Sequence, residues 1–147
     1  LMTKKQRAMS ATWIMQQHSF GVGQAESWEI DRLGIVKAVQ LAAQRAREKI
    51  IPKFPVEIVH DGREQWFADS KSVIHGDQLI IAIAMASIVA KVYRDSFMNN
   101  VAKQYPGWGF ECHVGYGTKK HQEMIKKYGL IKDVHRRSFC RRLLDCA

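Results

Sequence analysis

Two periodicities divide the chain. Within residues 4–18, Ala8, Met9, Trp13 and Ile14 can share a broad apolar helical face. Phe20, Val22 and Gln24 then alternate with small residues, which predicts a short strand. Ser27 is a candidate cap for the next helix, with Glu29 and Asp31 in the first turn, where the macrodipole favours acids. Ile35, Ala38, Val39, Ala42 and Ala46 carry helical spacing to about Lys49, and Pro52 and Pro55 end it. Val56, Ile58 and Val59 form a short buried strand leading into Asp61-Gly62. Strand, helix, strand is the unit of a sheet covered by helices.

Residues 67–74 are ambiguous, with Val73-Ile74 as a further short strand. The longest helical pattern runs from Leu79 to about Lys103. Ala82, Ala86 and Ala90 stand four apart within it, small residues that let another element approach, so a central, buried helix is expected. Pro106, Gly107 and Gly109 make a turn. Thr118 can cap a last helix that stops at Gly129.

The chain has 147 residues, 46% of them apolar, enough for one globular core. Lys plus Arg outnumber Asp plus Glu by 23 to 14. The excess is concentrated: residues 1–90 carry 11 bases and 9 acids, residues 91–147 carry 12 and 5. A basic half suits a polyanion such as nucleic acid, although a solvated surface has the same composition. Cys112, Cys140 and Cys146 lack zinc spacing and read as reduced thiols. The apolar run 79–90 is too short to span a bilayer and reads as a buried helix. No signal peptide is visible, which points to the cytoplasm.

Asp61 ends a strand and precedes a glycine. That position presents a rigid carboxylate to a cleft, and a turn-forming Asp-Gly looks the same. Asp77, at the mouth of the long helix, is a metal ligand or a dipole partner. Tyr116 lies between Gly115 and Gly117, so its ring can face a sugar or base, or cover its own loop. Arg136 and Arg137 fit phosphate oxygens or a sheet edge equally well. Lys91 stands one turn before Asp95, the spacing of a helical ion pair. His121 has no second histidine at metal spacing.

Three blocks occur in order: M-A-S-I-V-A-K-V-Y-R-D from Met85, Y-P-G-W-G-F-E-C-H-V-G-Y-G-T-K-K-H from Tyr105, and V-H-R-R-S-F from Val134. With V-E-I-V-H-D-G and H-G-D upstream, they resemble the type 2 ribonucleases H, most closely bacterial ribonuclease HII, over most of the chain. The resemblance implies an α/β ribonuclease H-like fold, a mixed sheet flanked by helices, in one domain (1–147) with a basic helical part from about residue 103. It implies cleavage of RNA in RNA–DNA hybrids and at ribonucleotides embedded in duplex DNA, with Mg²⁺ or Mn²⁺ held by carboxylates. Asp61 and Asp77 match the third and fourth acidic ligands of that site. Tyr116 with Gly115 would read the RNA-to-DNA junction, and Arg136 would bind phosphate.

The sequence departs from the family at His75, usually Lys, at Arg63, commonly Asn, and at Ala84, commonly Ser. Asp69-Ser70-Lys71 mimics a family motif at the wrong place. The family's opening D-E-x-G-R-G block does not occur here, so the expectation is an N-terminally incomplete fold lacking two of four acids. Such a chain alone would be inactive. The alternatives to a ribonuclease lacking its first strands are a catalytically dead hybrid-binding module and half of a split enzyme completed by another chain.

Overall fold

The computed structural model describes residues 2–52 and 55–144. Two compact units emerge: Leu1–Gln24 with Gln40–Tyr93, and Ala25–Val39 with Arg94–Ala147. Helices dominate, and a small parallel sheet gives the α/β character.

In the first unit, α1 (Lys4–Gln17) starts at Thr3. The Gln6 amide N–H donates to Thr3 Oγ1 at 3.3 Å, and the Thr3 N–H donates to Gln6 Oε1 at 2.8 Å, a reciprocal cap. The buried positions of α1 are Ala11 and Ile14; Ala8, Met9 and Trp13 are exposed. The inward stripe is therefore narrower than the expected face, set by a three-residue step.

The strand expected at Phe20–Gln24 does not form. This segment instead runs over the end of α3 (Ile35–Arg47). Lys49 Nζ donates to the Val22 carbonyl at 2.6 Å, and Arg45 Nη1 to that of Gln24 at 2.8 Å. Gly21 and Gly23 permit the approach. A Cβ on Gly21 would lie 2.1 Å from the Ala46 carbonyl oxygen, and one on Gly23 2.0 Å from that of Ala42. The alternation in the sequence thus marks backbone against helix. Gly23→Ala is expected to destabilise this unit by about 2–4 kcal/mol, because the obstacle is backbone and cannot rotate away. Urea unfolding checks this; an unchanged midpoint would refute the close approach.

Strands β1 (Ile58–Asp61) and β2 (Ser70–Val73) pair in parallel, Ile58 beside Ser70 and Asp61 beside Val73. β2 begins earlier than the expected Val73-Ile74. Among the described residues the sheet has two strands, smaller than the mixed sheet the resemblance implies. Its link, residues 62–69, is shorter than the roughly dozen residues usual for a parallel connection. Side-chain hydrogen bonds hold that link together. The His60 ring stacks on Trp66 at 4.4 Å, and His60 Nε2 accepts from the Trp66 N–H at 3.2 Å. Ser70 Oγ accepts from the Phe67 N–H at 3.1 Å. Asp69 forms a two-pronged pair with Arg47, at 3.0 and 2.6 Å, and Lys71 pairs with Glu57. The Asp69-Ser70-Lys71 sequence therefore has structural work of its own.

The long helical pattern is split. A single turn, α4 (Gly76–Leu79), ends at Ile80, whose backbone is extended, and α5 (Ile81–Gln104) follows. Ile83 and Val89 are buried, but Leu79, Ile81, Ala82, Ala86 and Ala90 are exposed. Among the described residues nothing covers the small-residue face, which differs from the expected central burial. No helix among the described residues is long and apolar enough to cross a membrane.

In the second unit, Ser27 is the first residue of α2 (Ser27–Leu33) and Glu26 the cap, its N–H donating to Glu29 Oε2 at 2.9 Å. Gly34, with φ 77°, breaks this helix from α3, so the expected single helix is two. Met98, Val101, Trp108, Phe110, Ile125 and Cys140 form the core. They come from α5, the turn at Trp108, the short α6 (Phe110–His113), α7 (Lys119–Tyr128) and a final α8 (Arg137–Leu144). Thr118 caps α7 and Gly129, φ 79°, ends it, as read from the sequence. Cys112 is exposed and Cys140 buried, both as free thiols, and burial pushes the Cys140 thiol up. Cys146 lies outside the described residues.

Candidate functional site

The acidic candidates lie on adjoining segments of the first unit. Asp61 closes β1 and is exposed. Its Oδ1 accepts the Gly76 N–H, the first of α4, at 2.8 Å. Gly76 is buried, and a Cβ there would stand 2.7 Å from Ile83 Cδ1 and 3.5 Å from Asp61 Cα. A side chain there would have to push the Ile83 methyl aside, so the glycine lets the start of α4 rest on the strand end without that shift. His75, with φ 56° and ψ 36°, makes the left-handed turn that delivers it. Asp77 follows, exposed in the first turn of α4. Residues 16 apart in sequence thus lie on adjoining segments, with one oxygen of Asp61 committed to Gly76.

Carboxylate oxygens are the donors that Mg²⁺ and Mn²⁺ prefer, in sets of about six with water and phosphate. Asp61 and Asp77 fit part of such a set. Among the described residues, no group of three or more His, Cys, Asp or Glu is placed to hold a metal ion.

The basic and aromatic candidates belong to the second unit. Val114 and Gly115 have φ 43° and 83°, which turns the chain sharply before Tyr116. The Tyr116 N–H donates to the His113 carbonyl at 2.8 Å, and the Tyr116 carbonyl accepts the Thr118 N–H at 2.8 Å. The backbone is locked while the ring is 66% exposed, so the ring does not cover its own loop. Arg136 lies with its guanidinium carbon 3.9 Å from the centre of the Phe139 ring. Face stacking leaves guanidinium N–H groups at the edge, where a phosphate is met. Arg137 begins α8 and caps no sheet edge.

Three contributors were not legible beforehand. Arg94 Nη2 donates to the Val114 carbonyl at 3.3 Å and would stand 3.3 Å from a Cβ on Gly115. Burial pushes its pKa down; the Tyr116 hydroxyl opposes that shift, while the Arg136 charge adds to it. Arg94 therefore sits in the same field as both. The R-D pair closing K-V-Y-R-D was its only signal. Asp31 holds the start of α8: Oδ2 accepts the Arg137 N–H at 2.8 Å, and Oδ1 accepts the Ser138 N–H at 2.9 Å and the Ser138 hydroxyl. Desolvation raises its pKa, but these bonds and the Arg136 charge outweigh that and hold the carboxyl below its usual range. The third contributor is a set of buried histidines. His121 Nδ1 lies 2.9 Å from the Tyr116 carbonyl, and His121 Nε2 lies 3.0 Å from His135 Nε2.

A family model described as Ribonuclease HII matches residues 3–142. Proteins named Ribonuclease HII are similar to the chain over most of its length. That of Parasynechococcus marenigrum is 40% identical over 88% of this chain and 58% of its own. That of Prochlorococcus marinus is 39% identical over 97% and 70%, and that of Zymomonas mobilis 41% over 94% and 66%. The chain thus spans between 58% and 70% of the length of these relatives. With the match running from α1 into α8, this chain belongs to the ribonuclease HII family.

Proposed function

We propose that this chain contributes the substrate-reading surface and two metal-binding carboxylates to endonucleolytic hydrolysis of the RNA strand in RNA–DNA hybrids and at ribonucleotides embedded in duplex DNA, the family's reaction, and that these two carboxylates do not suffice for cutting. In this reading it is one functional domain acting in the cytoplasm. The observation that carries it is the family match together with a Tyr116 ring left exposed on a locked G-Y-G-T loop. Asp61 and Asp77 would supply part of the ligand set for Mg²⁺ or Mn²⁺. Such an ion, when bound, supplies an activated water and neutralises charge on the leaving 3′ oxygen. The chain's own residues do the rest. The Gly76 N–H orients the Asp61 carboxylate from behind. Gly115 lets the backbone approach a strand, Tyr116 packs on the sugar at the RNA-to-DNA junction, and Arg136 engages a phosphate.

The test is binding. Tyr116→Ala is expected to weaken the preference for a duplex with one ribonucleotide over the same all-DNA duplex by ~5–100-fold, the range of one lost stacking contact. Tyr116→Phe should keep most of it. An unchanged preference in Tyr116→Ala would remove Tyr116 from the substrate surface. A hybrid-binding module without catalysis is the second reading, favoured by the two carboxylates alone among the described residues. Cleavage separates the two.

A further inference from the structure

We infer that His121 and His135 are positioning residues for Tyr116. A relay of ring nitrogens, running from the Ile131 N–H through both rings to the Tyr116 carbonyl, holds the loop in the form that presents the phenol. This rests on Tyr116 being the hybrid contact.

The donors and acceptors fix the relay uniquely. His135 Nδ1 accepts the Ile131 N–H at 2.8 Å, so the proton of a neutral His135 is on Nε2. That N–H faces His121 Nε2 at 3.0 Å, which must therefore accept. His121 then carries its proton on Nδ1, which donates to the Tyr116 carbonyl at 2.9 Å. His113 is set separately: Nδ1 accepts the Gly115 N–H at 3.2 Å, and Nε2 donates to the Trp108 carbonyl at 2.9 Å. Its ring stacks on His121 at 4.3 Å. Every ring nitrogen of the three has one partner, and all three rings are buried. A proton added to His135 Nδ1 or His121 Nε2 would place two donors face to face.

The other bonds of the Tyr116 loop are to its immediate surroundings, to His113, Thr118, Gln122 and Arg94, and the relay is what joins it to the segment before Arg136. The Tyr116 ring is exposed, Gly117 is exposed, and Val114 and Gly115 hold left-handed backbone. The relay ties that loop to residues 131–135, next to Arg136. Apolar rings of equal size would fill the core as well; nitrogens in this order add a second donor to a carbonyl that, among the described residues, otherwise accepts only the Thr118 N–H.

The experiment uses the 147-residue chain. Nitrogen–proton NMR of the imidazoles should show His121 protonated on Nδ1, and His135 and His113 on Nε2. His121→Phe keeps the ring volume and stacking but removes both nitrogens. It should reduce the preference for a one-ribonucleotide duplex ~5–100-fold, as Tyr116→Ala does, with all-DNA affinity unchanged. His121→Asn, whose amide can reach the Nδ1 place, should recover part of the loss. The double variant His121→Phe/Tyr116→Ala should be no worse than Tyr116→Ala, because the histidine acts through the tyrosine. If His121→Phe does not fold, His135→Asn serves, retaining the acceptor for Ile131 but losing the donor to His121. A folded variant with full preference, losses that add in the double variant, or different tautomers would overturn the inference. If the unaltered chain shows no preference, the reading of Tyr116 fails instead. The relay then stands or falls on the tautomers and on a shifted Tyr116 amide signal in His121→Phe.

Discussion

In Mg²⁺ or Mn²⁺, the purified 147-residue chain is expected to leave a duplex containing a single ribonucleotide uncut while still binding it. Asp61 and Asp77 lie on adjoining segments, and Oδ1 of Asp61 is committed to Gly76, so the described residues bring too few hard oxygens to one place to hold an ion against a phosphate. Fusing a D-E-x-G-R-G segment to the chain, with its two further acids, should allow cutting. In that fused chain, Asp61→Asn or Asp77→Asn should lower kcat by ~100-fold or more, the several kcal/mol a positioned metal supplies, with hybrid Kd within about threefold. Binding should keep its salt dependence, because the basic residues that carry it are untouched. Gel analysis of end-labelled duplex decides each arm. Robust cutting by the unfused chain would show the two aspartates suffice; near-normal cutting by the fused Asp61→Asn chain would remove Asp61 from the site.

Acid should loosen the second unit well above the carboxylate range. Desolvation, reinforced by the nearby His121 and His113, lowers the His135 pKa to about 4 from an ordinary 6.5. His121 is pushed down by desolvation first and by His113 next, with its bond to the Tyr116 carbonyl opposing. In both, the unfolded chain takes up a proton that the folded chain refuses. Their contribution to stability is therefore complete above about pH 6.5 and is lost as pH falls towards about 4, where His135 protonates in the fold as well. At ~1.4 kcal/mol per unit, the His135 window is worth at most about 3 kcal/mol, and on the order of half that once solvent screening is allowed for. Urea unfolding at pH 7 and pH 5 measures it. His135→Asn should flatten the dependence, and a flat profile in the unaltered chain would contradict the buried neutral relay. The hybrid preference of the folded chain should hold through most of that window and weaken only near about pH 4, where protonation of His135 in the fold breaks the bond chain that ends on Tyr116.

How far the site was legible depends on the range of the forces that build it. Asp61 and Asp77 stood out because a strand end, a following glycine and a helix start are local events, written in neighbouring residues. Arg94 and Asp31 did not. Asp31 is paired with Arg137 and Ser138, more than a hundred positions away, and a sequence shows an acid in a helix turn but not the helix end it will cap. His121 was set aside for want of a metal-spaced partner, yet its partner His135 is 14 residues on and serves a hydrogen bond.

What the sequence by itself determined was local or motif-borne: the family, the Thr118 cap and Gly129 stop of α7, the place of β1 and the turn at Gly107 and Gly109. Each follows from backbone preference or spacing within a few residues. What only the tertiary structure decided was which faces are covered and which polar atoms meet. Gly21 and Gly23 look like strand spacers until α3 is laid beneath them, and Ala82, Ala86 and Ala90 look like a buried stripe until the described neighbours leave it open. Burial is a property of what packs against a segment, and hydrogen-bond partners are chosen by distance in space. Residues 121 and 135 could therefore reveal their shared proton order only once their rings lay 3.0 Å apart, nitrogen to nitrogen.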